Sequence, residues 1–162
     1  MDASMAVIGL LTLPFIGAPL AYLGDRILLR RGSNPRLGQW ITLIILSACL
    51  LGLIVFWTQN PAGDSLWIWV GSIVLHWDGL SFLLAFTVIL LATLVALFSG
   101  PYIRDEKAQD KYFSLLLLMV GAIIGLGSAN DLFNLWIWFE LMAVSTYLLV
   151  AFYPQEQGSL EA

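Results

Sequence analysis

One ionisable residue of this 162-residue sequence lies deep inside a long apolar run: Glu140, in the stretch DLFNLWIWFELMAVSTY that opens at Asp131 and closes at Tyr147. A helix over residues 132–153 would place Glu140 about 4 Å from mid-bilayer at 1.5 Å rise per residue. A charge at that depth costs on the order of 2.5–3.5 kcal/mol, and more without a partner. Carboxyl groups kept there relay protons, hold ions or form half of a buried pair. Phe133, Trp136, Ile137, Ala143, Val144 and Tyr147 share its helical face, and Tyr147, two turns on, extends the polar lane as a secondary proton-transfer candidate. Asp131 is nine residues back and about 180° away, so the two carboxylates do not form one site.

No counter-charge for Glu140 is written into the same region. From Tyr112 to Ala162 there is no Lys, Arg or His. Glu140 is therefore expected either to stay protonated, its carboxyl disfavoured as an anion by desolvation, or to meet a cation such as a lysine on another chain. A neutral glutamic acid hydrogen-bonded to a neighbouring helix is the structural alternative. Other chemistry-bearing residues carry less. His76 is the lone histidine and lies beside Trp77 in a short interfacial segment, a poor setting for an axial ligand. Cys49, the single cysteine, forms no internal disulfide or cysteine cluster and reads as a small buried hydrophobe. Asp78, with Ser81 three residues on, suits a helix cap. Gly121 and Gly125, followed by Gly127 and Ser128, make a small-residue face for close helix approach. Neither a metal nor a cofactor site is expected.

The elements that must position Glu140 follow from composition. Apolar residues make up 60% of the chain and charged residues 11%, with 7 Trp, 9 Phe and 5 Tyr; mean hydropathy is +0.89. A soluble domain of this size could not hide so much apolar surface. The net charge of −4 excludes a nucleic-acid binder, since it has the wrong sign for a phosphate backbone. The composition defines an all-α integral membrane protein in a single membrane domain over 1–162. Five spans are expected at about 3–23, 37–58, 80–99, 112–128 and 132–153, because a bilayer needs about 20 apolar residues per crossing. The first carries Pro14 and Pro19, lacks a basic leader, and reads as a retained helix kinked near its prolines rather than a signal peptide.

Arg26, Arg30, Arg31 and Arg36 follow the first span, and Arg104, Lys107 and Lys111 follow the third; these are all 7 basic residues. The positive-inside rule then puts the N-terminus outside and the C-terminus in the cytoplasm of a multi-pass protein of the inner (plasma) membrane. Between spans two and three, the turn cluster 60–64 precedes two short apolar segments separated by Gly71-Ser72, which suit an outer β-hairpin over 66–77. Trp67, Trp69 and Trp77 are expected at headgroup depth as an aromatic belt.

The residues around Glu140 carry a resemblance. The DLFNL opening at Asp131, the FELM centre at 139–142 and the STYLL close at 145–149 are similar to the fifth helix of the antiporter-like, proton-translocating subunits of respiratory complex I, multisubunit (Mrp-type) sodium/proton antiporters and membrane-bound hydrogenases. DGLS at 78–81 resembles the opening of that family's third helix and KYFSL at 111–115 its fourth. The resemblance implies proton transfer by Glu140, paired with a lysine on a later helix. It also implies members about three times this length with about fourteen helices in inverted repeats. Against that pattern the chain reads as an N-terminal five-helix portion, and only the Glu140 role carries over.

Two functions therefore stand. The first is a membrane subunit of a proton- or cation-translocating energy-transducing complex, with Glu140 needing partners in trans. The second is a structural or assembly subunit of a larger respiratory or photosynthetic membrane complex. Both imply other membrane subunits and lipid as partners. No nucleotide-binding glycine loop, cysteine cluster or histidine pair equips the chain for redox catalysis of its own; a pigment- or lipid-organising role rests on the aromatics and His76 alone.

Overall fold

The computed structural model describes residues 3–30, 37–59, 65–70, 73–103 and 109–151. Five helices and one strand pair follow each other: α1 (Ala3–Arg30), α2 (Leu37–Gln59), β1 (Leu66–Val70), β2 (Ile73–Trp77), α3 (Gly79–Ile103), α4 (Gln109–Gly127) and α5 (Leu132–Val150). The 60–64 cluster, Gly71-Ser72, and Arg31, Arg36, Arg104 and Lys107 lie outside the described residues. Among the described residues four helices are long and apolar enough to cross a membrane, whereas the apolar run of α4, Lys111–Gly127, is shorter.

That short helix is the centre of the bundle. α4 packs against α1, α3 and α5 and touches α2. Phe113, Leu116, Leu117, Val120, Ala122 and Ile124 are buried along it. A helix surrounded by protein does not have to match the hydrocarbon thickness on every side, because its neighbours cover its ends. α1 and α2 pack together, as do α2 and α3, and Leu46, Cys49, Leu53 and Phe56 of α2 join the same core. Cys49 is buried there, as expected.

The first helix is longer than expected. α1 holds Pro14 and Pro19 within it and continues to Arg30, past the expected end at residue 23. Asp25 is thereby a helix residue and wholly buried, and its Oδ1 accepts from the Gly38 backbone N–H at 2.7 Å. The first-turn amides of a helix have no partners within it, so a carboxylate from α1 serves as a cap for α2. The apolar span ends near Ile27, and the helix simply extends beyond it.

β1 and β2 pair antiparallel in the register Leu66↔Trp77, Trp67↔His76, Ile68↔Leu75. Strand alternation then sends Trp67 and Trp69 to the exposed face and Ile68, Leu75 and Trp77 to the buried one. Trp77 is accordingly a core residue, its ring edge-on to Phe56 at 6.3 Å, rather than part of an aromatic belt with the other two. The pair is tied to the bundle where α4 meets α5. His76 N–H donates to the Ser128 carbonyl at 2.9 Å, and Leu75 bridges Ala129. Asp78 caps α3, its Oδ1 accepting from the Ser81 N–H at 2.9 Å, while the Ser81 hydroxyl donates to the Gly127 carbonyl at 2.7 Å.

Candidate functional site

Two details fix how α5 is rotated about its axis. Trp138 lies against Gly125 of α4, where any side-chain carbon on that glycine would collide with the indole. Four residues earlier, a Cβ on Gly121 would meet the Phe15 ring of α1 at 2.9 Å. The two rings also touch each other, with centroids 5.9 Å apart. The small-residue face of α4 thus receives one ring from α1 and one from α5. Asn134 and Ser145 are the buried residues of α5, and they share the Trp138 side because their spacings are near whole turns.

Glu140 is two residues from Trp138, which is about 200° around the helix. With the indole held on α4, the glutamate side chain is exposed on the opposite face of α5. It lies about 1.5 Å from the midpoint of Leu132–Val150 along the axis. Tyr147 is on the same face and 73% exposed, with Phe133 (67%), Trp136 and Val144. Only 11% of the α5 span is buried inside the chain, against 28–33% for the other long apolar helices. Glu140 and Tyr147 therefore share one open lane, about 10 Å apart along the axis, on the least covered helix of the bundle.

The remaining candidates fall elsewhere. Asp131 is the N-cap of α5: its Oδ1 accepts from the Asn134 backbone N–H at 2.9 Å and its other oxygen accepts from the Asn134 side-chain amide. It belongs to helix architecture, away from Glu140. His76 stacks beside Trp67 with ring centroids 4.5 Å apart, and its Nδ1 is 3.9 Å from an Asp78 carboxylate oxygen. The Asp78 carboxyl is held below its ordinary range, first by the Ser81 backbone N–H, then by the Ser81 hydroxyl and the nearby His76, with partial desolvation opposing them. Among the described residues no three His, Cys, Asp or Glu side chains cluster as a metal site would require. Asp25 escapes a reading of the sequence that ends the first helix at Leu23. The signal was its position inside a helical repeat that continues through Ile27 and Arg30.

A bundle of apolar helices, four of them long enough to cross a bilayer among the described residues, defines an integral membrane protein. The chain is a relative of the antiporter-like membrane subunits. It is 30% identical over 86 residues, 53% of its length, to Na(+)/H(+) antiporter subunit A1 of Staphylococcus haemolyticus, covering 11% of that protein. It is 31% identical over 96 residues, 59% of its length, to NADH-quinone oxidoreductase subunit N of Francisella tularensis, covering 19%. A third relative is the chloroplastic NAD(P)H-quinone oxidoreductase subunit 5 of Marchantia polymorpha, 30% identical over 128 residues, with 73% of this chain and 18% of that one covered. Among solved structures, a chain of the archaeal membrane-bound sulfane sulfur reductase complex matches 94% of this chain and is matched over 31% of its own length. The TM-score is 0.81 and the identity 25%. No family model matches the sequence. The chain thus spans between 11% and 31% of the length of these relatives.

Proposed function

We propose that the chain is a membrane subunit of a proton- or cation-translocating, energy-transducing complex, and that Glu140 is the protonatable group it contributes. The observation that carries this reading is the exposure of Glu140 at the middle of α5, on a face that no other part of the described chain covers. A lone carboxyl group facing hydrocarbon is unfavourable by several kcal/mol if charged. A neighbouring membrane subunit carrying a lysine on a helix laid along this lane would remove that cost. Tyr147, one hydroxyl further along the lane, extends the path. The relatives are named as subunits of a sodium/proton antiporter and of quinone oxidoreductases, which supports ion translocation over a purely structural part.

The same reading includes five crossings, with α4 inside the bundle, the strand pair on the outer side and the basic loops in the cytoplasm of the cell's inner membrane. Single cysteines introduced at Trp69 and at Lys111 in a Cys49→Ser background should react with an impermeant maleimide from opposite sides of intact vesicles. Labelling from one side would overturn the topology.

The decisive test of the function uses the assembled complex in proteoliposomes. Glu140→Gln should assemble normally and lose proton movement, while Glu140→Asp retains part of it. Proton movement at the wild-type rate in the Gln variant would refute the relay. Failure of the Gln variant to assemble, with normal transport in whatever complex does form, would mark a structural subunit instead.

A further inference from the structure

At the end of the apolar span of α1, two ridges of side chains enclose a groove of about 280 Å3 lined by Tyr22, Leu23, Arg26 and Ile27. Tyr22 and Arg26 are one turn apart. The guanidinium donates to the Tyr22 hydroxyl oxygen, and its carbon stands 5.4 Å from the centre of the phenol ring. Arg26 is thus folded back along α1 and held in place. The Tyr22 oxygen accepts that bond and keeps its own proton free to donate. Among the described residues no carboxylate pairs with Arg26; the adjacent Asp25 is turned inward against Gly38. A guanidinium and a phenol that line one groove match a phosphodiester, which accepts from both.

The apolar half of the groove continues as a track. Ile16, Leu20, Leu23 and Ile27 recur at whole-turn spacings, and all four are between 50% and 58% exposed. Eleven residues of helix rise about 16 Å, close to the roughly 15 Å half-thickness of a bilayer's hydrocarbon core. A fixed cation at the head of an apolar track one leaflet deep fits a lipid better than a free anion, which would gain nothing from the track. We propose that this groove is a binding site for an anionic phospholipid, its phosphate on Arg26 and Tyr22 and one acyl chain along Ile27, Leu23, Leu20 and Ile16.

The test is native mass spectrometry of the full chain in detergent, titrated with dioleoyl phosphatidylglycerol or dioleoyl phosphatidylcholine. The first bound lipid should favour phosphatidylglycerol. Arg26→Gln should lower that preference about fivefold, the value of one basic side chain near a charged headgroup. Tyr22→Phe, which removes a donor and no charge, should lower it at least about twofold. Lys111→Gln removes one positive charge from α4, outside the groove's lining, and should lower it less than Arg26→Gln does. Equal retention of the two lipids would overturn the proposal. So would a Tyr22→Phe chain that behaves as wild type, or equal losses in Arg26→Gln and Lys111→Gln, since both mean diffuse attraction. Displacement of the lipid by excess inorganic phosphate alone would identify a free-anion site in its place. If Arg26→Gln fails to fold by thermal melting, the Tyr22→Phe titration decides.

Discussion

Glu140 and Asp25 are both acids within helices, and they make opposite demands. Asp25 is buried and bonds the start of α2, so its value is structural. Asp25→Ala should cost about 1–3 kcal/mol, the penalty for stranding a buried amide and losing a cap, read as a lower melting temperature in detergent. Glu140 is exposed on the bundle exterior, so Glu140→Gln should leave the melting of the isolated chain within about 0.5 kcal/mol of wild type. The contrast separates a fold residue from a working one without any transport measurement. Asp78 gives a third residue-scale expectation. Its carboxyl is lowered chiefly by the Ser81 backbone N–H, so the charged form is favoured by folding. The stability it adds is fully present above the unfolded value of about 3.9 and is lost as pH falls through the lower folded value. Asp78→Asn preserves the capping acceptor and removes the charge; the wild-type advantage in melting should therefore shrink below about pH 3.9.

At the scale of elements, the rotation of α5 depends on a single indole in a single notch. Gly125→Ala puts a methyl group where Trp138 lies and should destabilise the chain by about 1–3 kcal/mol through overpacking. In a Trp138→Leu background the same substitution should cost less, a non-additivity that a double-mutant melting cycle reads directly. Much of this level was legible beforehand. Apolar length placed α2 and the starts of α1, α3 and α5 within a residue or so of where they stand, since lipid admits few alternatives to helices; α3 runs four residues past its expected end at 99. The end of α1 was not legible. Charge at Asp25 and Arg26 marks where apolar surface stops, whereas helical hydrogen bonds continue past it for as long as the backbone has partners. The exposure of Glu140 was not legible either. A lone mid-span acid can be found from its type and depth, but the direction it faces is set by Trp138 meeting Gly125 on another helix. Likewise Trp77 has the composition of a belt residue and the register of a core one.

For the whole molecule, the open surfaces on α1 and α5 differ in kind. The track on α1 is apolar with a basic residue at one end, as a lipid-facing surface is. The lane on α5 carries an acid at its midpoint, where a lipid chain offers nothing to it. In the assembled complex, a photo-crosslinking residue at Val144, on the Glu140 face, should join the chain to another membrane subunit. The same residue at Ile16 should yield adducts with lipid and none with protein. Protein adducts at Ile16, or lipid alone at Val144, would reverse the assignment of the two faces.

The central place of α4 also dictates how the molecule must be made. α1, α2 and α3 leave the ribosome before the helix on which α1 and α3 both pack, and at about 5–20 residues per second they wait several seconds for it. During that interval the early helices are inserted but lack their common wall, so a nascent chain arrested near residue 108 should be membrane-embedded yet readily cut by protease. Release of the following twenty or so residues should bring resistance in one step.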